Sequence, residues 1–394
     1  MTILEMFERE DIYGILEATL EEYYQKVHKK NVRVKVRKKH ILQKFVIYPR
    51  LGIVVPLFPS WAVIKRTYVS FDVQNNLPKK LFAWAYITLC FFTLGLLADA
   101  SLELSDPEVM DKSTVIIPSN RKIRIYEYGK GYVDAILKDG FNDYYFSNEI
   151  KIRKQPKFDF ILGLEDCGDR WYREKLLRGR CLVRCSGEEY QAYLNQTIHN
   201  LGVFYEDHRV DVPTRQYVER LIPDYEQMIA EIEKKKHIRC GEKLRSVLEK
   251  MKEVCERSNA IIPLTLTHGD LQTGNVYVDE QNKKLYIIDW ETIKQKSVWY
   301  DAATILCSTR RANKFSAMIN SRFDKAIQEK LFVFDKRPPA DMNMVAAVLV
   351  LEEMGFFLDE IVDLPREMGA EIIERFEHEA DQIDWDSITG EKRR

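Results

Sequence analysis

The first 24 residues, MTILEMFEREDIYGILEATLEEYY, mix acids with apolar residues at helical spacing. This pattern predicts an amphipathic helix and lacks the charged-then-apolar order of a secretory signal. Residues 26–44 then form a stretch rich in Lys, Arg and His, followed by two apolar segments, Phe45–Ile64 and Leu81–Ala98. Ser105, Asp106 and Pro107 break the apolar run and predict a boundary near residues 104–108. From Ser113 onward, short apolar runs and helical patterns alternate as in a mixed α/β chain. Glu231–Arg257 reads as charged, solvent-facing helix, and Met342–Arg375 as helices with broad apolar faces. No internal repeat is present.

Leu81–Ala98 carries no charge and is flanked by Lys79, Lys80 and Asp99. Its length lies at the lower edge of the about 20 residues that span a bilayer, so two readings stay open: a buried core helix or a membrane-inserted one. Phe45–Ile64 is a poor second span because it contains Arg50 and three prolines. The basic stretch at 26–44 would suit anionic head groups, but also an ordinary solvated face.

Ile262–Thr267 is a short β-rich run that leads into His268, Gly269 and Asp270 and, five residues after Asp270, into Asn275. Val276–Val278 and Leu285–Ile288 have strand character and are joined by the polar turn 279–284, so a hairpin is predicted with Asp289 at its end. Phosphoryl transfer asks a protein to orient a hydroxyl and to neutralise phosphate charge. Asp270 has the chemistry to accept or orient a proton, and Asn275 and Asp289 offer the hard oxygens that magnesium prefers.

Composition narrows the partners. Lys and Arg number 60 against 61 Asp and Glu, a net charge of -1, so no nucleic-acid partner is expected. The seven cysteines are scattered without a CxxC pair, which points to reduced structural thiols in a reducing compartment. At 394 residues the chain exceeds the size of a single core, and two or three domains are expected.

HGDLQTGN (268–275) followed by IIDWE (287–291) resembles the signature of the aminoglycoside phosphotransferase and choline kinase-like family, relatives of the protein kinases. The resemblance implies an α+β, two-lobed protein-kinase-like fold, with a small β-rich lobe and a larger helical lobe, and ATP and Mg2+ as cofactors. By the same resemblance Asp270 is the catalytic base, His268 braces its loop, and Asn275 and Asp289 are the metal ligands. Trp290 and Glu291 receive no chemical role.

A kinase-like nucleotide lobe is then expected upstream. Arg121–Tyr128 and Tyr132–Lys138 alternate as two strands around the turn Gly129-Lys130-Gly131. The kinase pattern casts Gly129 and Gly131 as the phosphate turn, Lys138 as the phosphate-binding lysine and Glu149, on a helix, as its partner. An ordinary hairpin turn, a surface lysine and a solvated glutamate are the alternatives. Trp171–Gly179 resembles the hinge, where Glu174 to Leu176 would meet the adenine. Asp301 is either a support of the catalytic loop or a helix N-cap, the more economical reading.

The expected organisation is an N-terminal region over 1–112, a nucleotide lobe over 113–180 and a catalytic and substrate lobe over 181–394. The expected activity is transfer of the ATP γ-phosphate to a small-molecule hydroxyl, of a sugar or an amino alcohol. The alternatives are a kinase of a membrane glycolipid or envelope saccharide, meeting the membrane surface through residues 26–98, and an inactive nucleotide-binding scaffold. A single span at 81–98 would place residues 99–394 away from ATP, so a cytoplasmic location, or the cytoplasmic face of a membrane, is expected. Glu352, Glu353, Asp359 and Glu360 read either as solvated helix faces or as contacts for a cationic substrate.

Overall fold

The computed structural model describes residue 6 and residues 10–38, 44–71, 77–238, 241–335, 337–363 and 366–390. The chain is α+β and divides into two compact units, one of residues 1–157 and 162–178, the other of 158–161 and 179–394.

The first unit is built on one nine-stranded sheet in the order β1-β4-β2-β3-β5-β6-β7-β9-β8. Its strands are β1 (Val34–Lys38), β2 (Phe45–Tyr48), β3 (Ile53–Pro56), β4 (Ala100–Leu104), β5 (Thr114–Pro118), β6 (Lys122–Glu127), β7 (Tyr132–Leu137), β8 (Leu164–Cys167) and β9 (Trp171–Lys175). The first 112 residues are therefore not a body apart, because β1–β4 continue the sheet that holds β5–β9. Of the basic stretch, residues 39–43 lie outside the described residues. Within the rest, Lys30 bridges Asp106 at 2.8 Å, and Arg37 on edge strand β1 bridges Glu103 at 2.9 Å. Edge-strand cations of this kind also discourage pairing with another chain.

Strand alternation sorts the side chains of this sheet onto two faces. Ile47, Val54, Ile116, Ile123, Ile125 and Ile136 pack with Leu16, Leu20 and Tyr23 of helix α1 (Ile12–His28). Each such buried aliphatic contributes roughly 1.5–3 kcal/mol. The Asp11 side chain caps α1 by accepting from the Gly14 amide. Val46, Tyr48, Ile53, Val55 and Val115 face the other way, onto a hairpin of helices α2 (Trp61–Phe71) and α3 (Leu77–Phe92) through Val63, Ile87, Cys90 and Phe91. Among the described residues no helix is long and apolar enough to cross a membrane. The charge-free segment is not a fully buried helix either: Leu81, Phe82, Leu89 and Phe92 are exposed. Helix α4 (Tyr144–Arg153) completes the unit, packing Phe146 against Ala135, Leu137 and Tyr172.

The second unit has two small sheets, β10-β13-β14 and β11-β12-β15, set among helices. The strands are β10 (Gly179–Cys181), β11 (Val210–Pro213), β12 (Ile261–Thr267), β13 (Val276–Asp279), β14 (Lys284–Ile287) and β15 (Lys294–Ser297). The unit begins two residues before the expected start at 181. Four helices matter most for the site: α5 (Gly187–Asp207), α6 (Thr214–Lys236), α7 (Val298–Leu306) and α8 (Met342–Asp363). Helix α8 buries an almost continuous apolar run.

Candidate active site

Strand β12 delivers the chain into the loop at His268. The loop is shaped by a buried carboxylate on α7: Asp301 accepts the His268 amide at 2.6 Å, the Gly269 amide at 3.1 Å and the Tyr205 hydroxyl at 2.5 Å. Asp301 is thus a loop support; the N-cap of its helix is Ser297. Burial, then the charge of Asp301, pushes the Tyr205 phenol well above its usual pKa, so it remains a donor. Gly269 has φ +84°, and a Cβ there would lie 2.2 Å from the Thr292 carbonyl oxygen, so only glycine fits.

His268 is fully buried. Its Nε2 lies 2.9 Å from the Ile288 carbonyl, which can only accept, and its Nδ1 faces the Asp270 amide at 3.4 Å. These contacts assign the proton to Nε2 and tie the loop to the residue before Asp289. Trp290 is buried packing beside it, its indole N–H bonded to the Ile287 carbonyl.

Asp270 retains a partly exposed carboxylate, 28% accessible, held from behind. Arg310 donates from Nε to Oδ1 at 2.9 Å, and Gln272 donates to the same oxygen at 3.0 Å. Arg310 is itself fixed by Glu353 at 2.6 Å, by the Gly269 carbonyl at 3.0 Å and by the Tyr300 hydroxyl at 2.8 Å, with its guanidinium stacked 3.6 Å over the Phe356 ring. Burial opposes the charge on Arg310, but Glu353, Tyr300 and Asp270 outweigh it and raise its pKa above the usual value. Glu352 and Glu353 are consequently not a solvated face. Both are buried: Glu353 holds Arg310, and Glu352 accepts from the Ser297 hydroxyl and from Tyr217. Asp359 is bridged by Lys294 at 2.8 Å.

Asn275 and Asp289 meet at the mouth of the β13–β14 hairpin, where the Ile288 amide donates to the Asn275 carbonyl at 2.9 Å. The Asn275 side-chain nitrogen donates to the Asp270 carbonyl at 2.9 Å, leaving its amide oxygen as the ligand atom. Asp289 sits in the left-handed region at φ 68°, a conformation aspartate tolerates better than most residues. Its carboxylate and that of Glu291 approach within 4.8 Å. An amide oxygen and two carboxylates are a hard donor set that suits magnesium. Glu291 thus joins the candidate ligands, which its sequence position alone did not indicate.

In the first unit the expected pair is replaced by another. Lys138 is buried on the α1 side of the sheet and bonds Glu10, while burial lowers its pKa against the pull of that glutamate. Glu149 instead pairs with Lys122 at 2.6 Å and with Arg153 at 2.8 Å. The cause is strand alternation. Lys122 lies opposite Leu137, whose face packs on α4, whereas Lys138, one residue on, points to the other face. Gly129 and Gly131 form the turn at the far end of β6, seven residues from Lys122, or roughly 23 Å along the strand. They make a hairpin turn and are not beside the Lys122–Glu149 pair. Glu174 pairs with Val133 on one side and Leu164 on the other, and its side chain holds Arg153. The Leu176 amide donates to the Gly131 carbonyl at 2.9 Å. The Leu176 amide is therefore not available to an adenine ring.

Residues 192–334 match the choline/ethanolamine kinase family model, a segment that includes the whole His268–Asp289 constellation. No match was found among curated proteins. Among solved structures, an ethanolamine kinase of Plasmodium vivax is similar at 15% identity and a TM-score of 0.44, with 83% of this chain and 95% of that one covered. A choline/ethanolamine kinase family protein of Mesorhizobium loti is similar at 12% identity and 0.41, covering 70% and 91%. The aminoglycoside phosphotransferase APH(4)-Ia is similar at 13% identity and 0.43, covering 72% and 94%.

Proposed function

We propose that this choline/ethanolamine kinase-like chain is an ATP-dependent phosphotransferase that moves the γ-phosphate of ATP to a hydroxyl of a small molecule, a sugar or an amino alcohol. The observation that carries the proposal is Asp270: a partly exposed carboxylate, braced by Arg310 and Gln272, on the same loop as Asn275 and next to the hairpin that ends at Asp289.

In this reading Asp270 accepts a hydrogen bond from the acceptor hydroxyl and aims its oxygen at phosphorus. A loose phosphoryl-transfer transition state needs orientation more than a strong base. A carboxylate aimed by a buried arginine meets that need. Magnesium, when bound, would neutralise phosphate charge, and Asn275, Asp289 and Glu291 supply its hard oxygens. Lys122, oriented by Glu149, takes the phosphate-binding part first expected of Lys138.

A second reading, an acceptor hydroxyl carried on a membrane glycolipid or envelope saccharide, is favoured by the exposed apolar side of the α2–α3 hairpin. The test is incubation of the full chain with Mg-ATP and a panel of sugars, amino alcohols and lipid-linked saccharides, with mass spectrometry for an added phosphoryl group. One acceptor gaining that group supports the proposal and identifies the class. Mg-ATP binding without any product supports an inactive scaffold instead, and neither binding nor product rejects the reading altogether.

A further inference from the structure

Helix α3 is apolar on two sides, and the sheet covers only one. Ile87, Cys90 and Phe91 are buried against β2, β3 and β5, while Leu81, Phe82, Leu89 and Phe92 point outward. Such a helix normally has both sides packed. Twelve of the nineteen large apolar side chains exposed among the described residues fall between Phe58 and Leu97, about a tenth of the chain, so this is one concentrated surface and not scatter. Trp61 is 72% exposed, Phe82 74% and Leu96 66%.

We propose that this face of the α2–α3 hairpin docks on the surface of a bilayer that contains anionic phospholipids. Charge selects this occupant. Between Phe58 and Ala98 the sequence has Lys65, Arg66, Lys79 and Lys80 against the single acid Asp72, in a chain whose net charge is -1. A second copy of the chain would cover the apolar face but bring two sets of cations together across a twofold axis. An anionic head-group layer complements both the net positive charge of this segment and its apolar face. Lys80 lies with Nζ 4.9 Å over the Trp84 ring, joining a cation to an aromatic of the kind found at membrane interfaces.

The hairpin lies on the membrane and does not cross it. At 1.5 Å per residue, α3 is roughly 24 Å long, short of the about 30 Å hydrocarbon core. The Thr88 and Thr93 hydroxyls bond back to the carbonyls of Trp84 at 2.7 Å and Leu89 at 2.6 Å, which lowers the cost of taking them out of water. The docking is read by vesicle binding alone, whichever acceptor the active site takes.

The experiment is flotation of the full chain with vesicles of phosphatidylglycerol and phosphatidylcholine, or of phosphatidylcholine alone, beside a Trp61→Glu/Phe82→Glu variant and a Phe92→Ser/Leu96→Ser variant. The expected result is co-flotation with the anionic vesicles, weaker binding to neutral ones, and at least a tenfold loss of bound fraction in both variants. Circular dichroism and any turnover of a soluble acceptor should match wild type. The proposal is overturned if wild type stays unbound at low salt, or if correctly folded variants bind as wild type does. It is equally overturned if sedimentation shows a dimer that the substitutions split while vesicles bind nothing.

Discussion

Arg310 holds Asp270: the guanidinium Nε donates to Oδ1 at 2.9 Å, and the same side chain is clasped by Glu353 and stacked on Phe356. One buried cation therefore joins the loop carboxylate to helix α8. Replacing Arg310 by Met should leave Glu353 buried without its cation, with the Tyr300 hydroxyl still donating to it, and should free one side of Asp270. Breaking a buried pair costs about 3–5 kcal/mol, so urea unfolding should show a loss of that order. Turnover should fall as well, and Arg310→Met/Glu353→Gln should recover stability without recovering turnover. Recovery of both would mean that Arg310 does not position Asp270.

Lys122 and Lys138 make opposite predictions although they lie at neighbouring corners of one strand pair. Lys122→Met should reduce kcat/KM for ATP on the order of a hundredfold, the usual loss when a donor to reacting phosphate or oxyanion is removed. Lys138→Met breaks the ion pair with Glu10 and the weaker contacts with the Met6 sulfur and the Phe141 ring. It should lower stability by about 1–3 kcal/mol and leave kcat unchanged. Steady-state kinetics with chemical denaturation separate the two, and the reverse pattern would restore Lys138 to the phosphate role.

That contrast marks where sequence reading stopped. The His268–Asn275 loop, the following hairpin and Asp289 were legible because their donors are contiguous and the β-rich runs on either side frame them. The lysine was not legible, because a one-residue step along a strand moves a side chain to the opposite face. Arg310 and Glu353 are 43 residues apart and meet only through the fold. Nothing local told Glu353 from a solvated helix residue. The sheet that joins residues 34–104 to β5–β9 also escaped, since β3 meets β5 across the two intervening helices.

Asp289 and Glu291 predict a metal dependence. Asp289→Asn removes the charge of a proposed ligand while keeping the size, so the magnesium concentration for half-maximal turnover should rise at least tenfold. Glu291→Gln should give a smaller shift in the same direction. Titration of turnover against magnesium checks both, and unchanged midpoints in the two variants would remove these residues from the metal site.

Lys296 predicts a pH effect on stability. Burial pushes its pKa down to about 7, against the pull of Glu352, while the unfolded chain holds the proton to about 10.4. Between those values the unfolded state binds a proton that the folded state does not, so this residue makes stability rise with pH. The slope approaches about 1.4 kcal/mol per pH unit for one proton. Lys296→Met should flatten the rise between pH 7.5 and 9.5 in denaturant melts. Parallel profiles for wild type and variant would show that Lys296 is charged in the folded protein.

The most direct test of the phosphotransferase account is the turnover of Asp270→Asn beside wild type with Mg-ATP and the best acceptor. Asparagine keeps the shape of the loop but cannot take up a proton or carry the charge that Arg310 pairs. The account predicts that Mg-ATP still binds within a fewfold of wild type while kcat falls by about 10²–10⁴. Equal rates in the two proteins would contradict it.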